Sequence, residues 1–170
     1  MKMDKKMALL ALVCGSLFSA TCSAVNIDIT GTVVASPCVV NNGNESLEVP
    51  LGDNIQANEL AVAQSTTAWK NFTLALTSCP PATTSFSVAF AGTADDNANY
   101  YKNTGTATNL KLELTSQDGS KTFNNGAVLE NVAISSSHTY DLLLRARAVS
   151  KGLVMPGTIQ SQVQATFTYQ

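Results

Sequence analysis

From Val25 the chain alternates. Val25, Ile27, Ile29, Gly31, Val33 and Ala35 are apolar or small, and the residues between and after them (Asn26, Asp28, Thr30, Thr32, Val34, Ser36) are almost all polar. A period of two places one set on an apolar face and the other on a wet face, so this stretch reads as a half-buried β-strand. A glycine on the apolar face is unusual, because it leaves that position with nothing to pack. Two readings stand: the first strand of an ordinary sandwich, or a strand made to be given to another molecule.

The same period recurs through the chain. Phe72, Leu74 and Leu76 share a face within Trp69–Ser78, and Cys79-Pro80-Pro81 ends that run, since proline cannot continue a central ladder. Phe86, Val88 and Phe90 mark another strand, and Leu110, Leu112 and Leu114 alternate with Lys111, Glu113 and Thr115. Tyr140, Leu142, Leu144, Ala146 and Ala148 line one side of a long strand, with Arg145 and Arg147 on a solvated face opposite. The last run places Ile159, Val163, Ala165, Phe167 and Tyr169 on one face, together with Ser161. Asp118-Gly119 and Asn124-Asn125-Gly126 are turn signals, since these residues tolerate positive φ. Leu47–Leu51 alternates briefly. Asn54–Thr67 spaces its apolar residues too poorly for a helix and reads as a loop with one helical turn. Gly92–Thr108 is a long polar connection. Seven or so short strands with intervening turns predict an all-β, immunoglobulin-like sandwich.

Residues 1–24 belong to targeting. Lys2, Lys5 and Lys6 precede an apolar stretch, Met7–Ala20, of 14 residues, followed by the small residues Ser23 and Ala24. This is the pattern of a secretory signal, too short for a stable membrane anchor, with cleavage expected after Ala24 or after Cys22. No later run is long and apolar enough to span a bilayer, so a soluble exported product without membrane insertion is expected. Removing residues 1–24 leaves 7 basic and 11 acidic residues, a net charge of −4 with His138 neutral, and no basic patch for nucleic acid. It also leaves two of the four cysteines, Cys38 and Cys79. An even pair in an exported chain implies one disulfide and an oxidising compartment such as a periplasm. Two cysteines and the single histidine are too few ligands for a metal site, and no cofactor is expected.

Catalysis finds little support. A hydrolase needs a positioned nucleophile and base, and the only histidine follows three serines in Ser135–His138, a composition common in loops. Asp95-Asp96 reads as an exposed loop pair and not as an acid–base couple. No catalytic residue is assigned.

Both ends of the mature chain are therefore long alternating strands, and the last runs to Tyr169 with only Gln170 after it. An immunoglobulin-like sandwich normally ends on two neighbouring antiparallel strands, so this one is expected to lack its last strand. An open edge over an apolar core is a liability unless something covers it. A strand from another copy has the pattern to do so by β-strand addition.

With an N-terminal extension, cysteines about 40 residues apart, a glycine fourteenth from the end (Gly157) and a penultimate tyrosine (Tyr169), the chain resembles the pilins of the chaperone–usher family across essentially its whole mature length. Leu74–Pro80, Tyr100–Asn103, Gly105–Leu114 and Gly157–Gln160 are similar to the minor adaptor subunits of type 1 fimbriae. The resemblance implies a signal at 1–24, a donor-strand extension at 25–36 and a pilin domain at 37–170, completed by donor-strand exchange. It implies a donor set of Val25, Ile27, Ile29, Gly31 and Val33, and an acceptor edge including Gly157, Ile159, Val163, Ala165, Phe167 and Tyr169. The implied partners are neighbouring pilin subunits (the tip adhesin and the next adaptor), a periplasmic pilus chaperone and an outer-membrane usher, on a route through the periplasm to a surface fimbrium. The alternatives are a major rod pilin and a stand-alone carbohydrate-binding adhesin. The second has little room, since one pilin domain fills the roughly 146 mature residues.

Overall fold

Two antiparallel sheets face each other in the structure, a computed structural model that describes residues 26–170. Residues 1–25, which include the signal and Val25, lie outside the described residues. Val33–Gln170 form one compact unit, and everything below about the sandwich concerns that unit. One sheet has the order β1 (Val39–Val40), β2 (Lys70–Thr77), β7 (Tyr140–Met155), β5 (Thr108–Ser116), β4 (Tyr101–Lys102). The other has the order β6 (Val128–Ala133), β3 (Ser85–Gly92), β8 (Val163–Tyr169). Among the described residues helical structure is limited to 3₁₀ turns at Asn41–Gly43 and Ala57–Leu60, and no helix is long and apolar enough to cross a membrane.

The period-two pattern builds the core directly. Phe86, Val88 and Phe90 point from β3 into the space between the sheets and are at most 2% exposed. Leu142, Leu144 and Ala148 of β7, Leu112 and Leu114 of β5, and Leu76 of β2 meet them. Aromatic contacts knit the layers, with Phe86 edge-on to Tyr140 at 5.0 Å and Phe90 against Phe123 at 4.6 Å. The Ala57–Leu60 turn adds a fully buried Leu60, whose carbonyl accepts from the buried Ser150 hydroxyl at 2.7 Å. The Asp118-Gly119 and Asn125-Gly126 turns form with positive φ at both glycines.

Three stretches differ from the sequence reading. Leu47–Leu51 joins no ladder, and Leu51 and Ile55 instead rest half-buried against the core. The Gly92–Thr108 connection contains β4, because Tyr101 sinks to 1% exposure beneath Gly92, where a Cβ would lie 2.8 Å from its ring. The arginine face of β7 is not simply solvated. Arg145 and Arg147 stack on Trp69 at 4.2 and 4.1 Å, and Arg147 Nε donates to Glu113 Oε2 at 2.7 Å.

The fold has two distinct ends. At one, β3 and β7 finish while β5 and β8 begin, with Gly92 opposite Val163 and Thr108 opposite Met155. At the other lie Tyr169, Gln170 and the Cys38–Cys79 disulfide, with Thr83 Oγ1 donating to the Ser36 carbonyl at 2.7 Å. The chain preceding Cys38 therefore leaves from the disulfide end.

Candidate functional site: the open edge of β8

Strand β8 pairs along one side only. Its ladder with β3 runs without a break from Gly92↔Val163 to Phe86↔Tyr169, and its other side has no partner strand among the described residues. β1 is likewise the edge of its sheet. Burial follows the alternation: Val163, Ala165, Phe167 and Tyr169 turn inward and Gln164, Thr166 and Thr168 turn out. The inward residues of β3 are sealed, whereas all four of β8 stay half-buried although they pack against the core. A row of half-covered apolar side chains beside a free line of backbone N–H and C=O groups is a template for one more strand.

Tyr169 closes this edge at the disulfide end. Its ring stacks on Phe167 with centroids 6.4 Å apart, and Val33, Val34, Ala35, Ala82 and Gln170 border the recess beside it. Burial pushes the phenol above its ordinary range, and a hydrogen bond from the Cys38 backbone opposes that shift. Cys79 N–H donates to the His138 carbonyl at 3.1 Å, tying the disulfide to the loop before β7.

Gly157 and Ile159 precede the ladder, which begins at Val163. Ile159 packs half-buried against the core. Gly157 lies against the chain at Thr106–Ala107, where an added Cβ would overlap the Ala107 nitrogen and stand 2.6 Å from the Thr106 carbonyl carbon. The reason is a reciprocal clasp: Thr106 N–H donates to Thr158 Oγ1 at 2.9 Å, Thr158 N–H donates to Thr106 Oγ1 at 2.8 Å, and Ala107 N–H reaches the Thr158 carbonyl at 3.0 Å. Only a residue without a side chain lets the two segments approach this closely.

Of the sequence-derived donor set, Ile27, Ile29, Gly31 and Val33 are described. Residues 26–38 adopt no regular secondary structure, and Ile27 and Ile29 are 82% and 93% exposed. Alternation without a ladder leaves both faces wet, and the stretch forms no strand among the described residues.

The other candidates dissolve into local structure. Ser135 and Ser137 hydroxyls bond each other at 2.7 Å, Ser135 Oγ donates to the Thr139 carbonyl, and none of these hydroxyls meets the imidazole. The expected exposed pair holds for Asp96 alone: Asp95 is buried because its carboxylate turns in to Lys151 Nζ at 2.6 Å, so the two carboxylates sit in different environments. No group of three or more His, Cys, Asp or Glu suited to a metal occurs among the described residues. Sequence reasoning missed the Asp95–Lys151 pair and the bulge at Gly152-Leu153. The one signal was a glycine interrupting an otherwise continuous strand.

A family model for fimbrial proteins matches residues 27–170. The chain belongs to this family of structural pilins and is a fimbrial subunit of the chaperone–usher type. It is similar to the protein FimG of Escherichia coli strain K12, 38% identical over 172 residues covering 99% of each chain. It is also similar to the S-fimbrial adhesin protein SfaS of Escherichia coli strain 536, 38% identical over 153 residues and 89% of each chain. The fold is that of the P pilus rod subunit PapA, with TM-score 0.65 at 13% identity over 79% of this chain and 100% of that one. It is shared by the P pilus adaptor subunit PapF, with TM-score 0.53 at 15% identity over 82% and 100%.

Proposed function

We propose that this chain is a minor adaptor of a surface fimbrium, linking the tip adhesin to the fibre by donor-strand exchange. In this reading residues 1–24 direct export and are removed, residues 25–36 are the donor extension and residues 37–170 the pilin domain. Val25, Ile27, Ile29, Gly31 and Val33 enter the groove of the subunit ahead. The β8 edge, together with Gly157 and Ile159, forms one wall of the groove that accepts the extension of the subunit behind. A periplasmic chaperone covers the edge until an outer-membrane usher exchanges it for the donor. The observation that carries the reading is the half-covered apolar row of Val163, Ala165, Phe167 and Tyr169 on an unpaired strand edge. The full-length similarity to FimG supports adaptor over rod. Nothing in this scheme requires chemistry, so no enzymatic role is assigned.

The test is thermal. The purified mature chain is mixed with a synthetic peptide copying residues 25–36, and its unfolding midpoint should rise well above that of the peptide-free chain, because ligand binding to the native state alone stabilises it. Equal midpoints would remove the open groove. In a producing strain, deletion of residues 25–33 should leave a chaperone-bound, folded subunit that never enters the fibre.

A further inference from the structure

At the end of the fold where β8 begins, the long strand β7 carries a bulge. Thr108 pairs with Met155 and Leu110 with Ser150, so between these pairs the single Asn109 of β5 stands opposite four residues of β7, 151–154. Gly152 sits at φ +104 and Leu153 at φ +49, a left-handed conformation that a leucine rarely adopts. Hydrogen bonds fix it from several directions. Leu153 N–H donates to the Ala61 carbonyl at 2.9 Å, Asn109 Nδ2 donates to the Leu153 carbonyl at 3.1 Å, and Gly152 N–H donates to Ser150 Oγ at 2.8 Å. The result is that Leu153 and Met155 stand 75% and 58% exposed, with the equally exposed Val62 following Ala61 on the adjoining segment. A conformation held against its preference, displaying apolar side chains to water, points to an occupant.

We infer that this knob seats the body of the subunit whose extension fills the β8 edge, a second copy of this chain serving as the partner; the inference rests on the donor-strand reading above. Direction decides the end. The extension leaves each body at the disulfide end. A donor parallel to β8 would bring its body to the acceptor's disulfide end, where the acceptor's own extension already leads to a third body. A donor antiparallel to β8, like every ladder in the fold, places its body beside Val163 and the bulge. Length then limits the gap between the two bodies. Four residues, Val34–Pro37, separate Val33 from Cys38, a reach of at most about 18 Å at roughly 3.6 Å per residue step. The arriving disulfide end offers Val34, Pro81 and Ala82 as exposed apolar residues, set among the polar Ser36, Ser78, Thr84 and Gln170.

Met155 makes the test direct, because no other methionine occurs after Met7. Hydrogen peroxide transfers one oxygen to the thioether sulfur and is reduced to water, so a single mass shift in the mature chain reports this site. Oxidation of Met155 should be at least about fivefold slower in fimbriae isolated from a producing strain than in the purified chain filled with the 25–36 peptide, by burial alone. Equal rates overturn the contact while leaving the groove intact; a peptide that fails to raise the unfolding midpoint instead refutes the groove itself. Leu153→Asn supplies the second arm, since asparagine accepts left-handed φ and removes the apolar chain. The peptide-filled variant should melt no lower than the parent, while Met155 in its fimbriae loses protection. A variant that melts lower and stays equally protected would make the bulge a feature of the fold alone.

Discussion

Gly157→Ala isolates the close approach that sets the start of β8. The added methyl would overlap the Ala107 nitrogen and stand 2.6 Å from the Thr106 carbonyl carbon and 2.8 Å from Ala107 Cα. All three neighbours are backbone, so no side chain can swing away, and relief requires Thr106–Ala107 to move. That segment is held by three hydrogen bonds to Thr158, of 2.8 to 3.0 Å. Overpacking of this kind costs about 1–3 kcal/mol, and the loss of one or more clasp bonds, about 1 kcal/mol each, puts the expectation near 3 kcal/mol. For a chain of this size that lowers the unfolding midpoint by roughly 6–12 °C. The assay is urea and thermal unfolding of the peptide-filled subunit, with Gly31→Ala as the comparison, since a Cβ on Gly31 meets nothing within 4 Å among the described residues. The comparison variant should match the parent when its own groove is filled by the unmodified peptide. A Gly157→Ala loss below about 1 kcal/mol would mean that the clasp yields freely, and the close-approach account of this glycine would fail.

Replacing Cys38 and Cys79 by serine should cost about 4 kcal/mol on the chain-entropy account of a loop closed across 41 residues, read by urea unfolding of the chaperone-bound or peptide-filled chain; a loss under about 1 kcal/mol would contradict that account. Asp118 accepts from Ser116 Oγ and from the Ser120 N–H and hydroxyl, which hold its carboxyl at about 2 against an ordinary 3.8. A lowered carboxylate contributes stability above its unfolded value and loses it as pH falls, so the turn should weaken between about pH 4 and pH 2. A carboxyl titration followed by NMR with a midpoint near 4 would refute this. Tyr101 is buried without a hydrogen-bond partner and its phenol is pushed up to about 12 by burial. Its contribution is complete below pH 10 and lost as pH rises toward 12, so Tyr101→Phe should flatten the alkaline limb of the stability profile at no cost near neutrality. A loss above about 1 kcal/mol at pH 7 would show that the hydroxyl has a partner.

The strands with clean alternation were legible because each residue's face is decided by its own neighbours in sequence. Phe86–Phe90, Leu110–Leu114 and Tyr140–Ala148 all fold with the expected side inward, and the glycine-containing turns fall where positive φ was needed. What the sequence hid depends on register between distant strands. Trp69 meets Arg145 and Arg147 because Lys70 pairs with Ala146, a fact set by the β2–β7 ladder and not by any local pattern. Lys111 is buried on the supposedly wet face of β5 because Tyr100 folds over it, with Nζ 3.7 Å from the ring centre. Leu47–Leu51 has strand-like alternation but finds no neighbour, which shows that period two licenses a ladder without supplying one. At the candidate site, the inward set Val163–Tyr169 was readable from alternation, whereas the bulge at Leu153 was not. Gly152 hints at an interruption of the strand, but nothing in the sequence tells that the leucine after it also takes a left-handed backbone.

The exposed extension and the open β8 edge are each a defect when considered alone. Ile27 and Ile29 leave large apolar surfaces in water, and β8 leaves a backbone edge and a half-covered core. Both defects are of the kind that proteins ordinarily remove with charges, prolines or bulges. Here the remedies are absent from the positions that matter: β8 carries no charged residue and no proline between Val163 and Tyr169. The two defects are also complementary, an apolar alternating strand and an apolar slot with free hydrogen-bonding groups. In the donor-strand reading the extension leaves its own body at the disulfide end and, antiparallel to β8, brings that body to the Val163 end of the next copy, so joining them between copies produces a heterologous, head-to-tail contact. Such a contact does not exhaust itself in a dimer, since every copy added consumes one free edge and presents another. On the reading proposed above, a filament follows from the antiparallel direction of the donor. Were the donor parallel to β8, both bodies would meet at the disulfide end, and the same pair of surfaces could close into a two-fold exchange and stop.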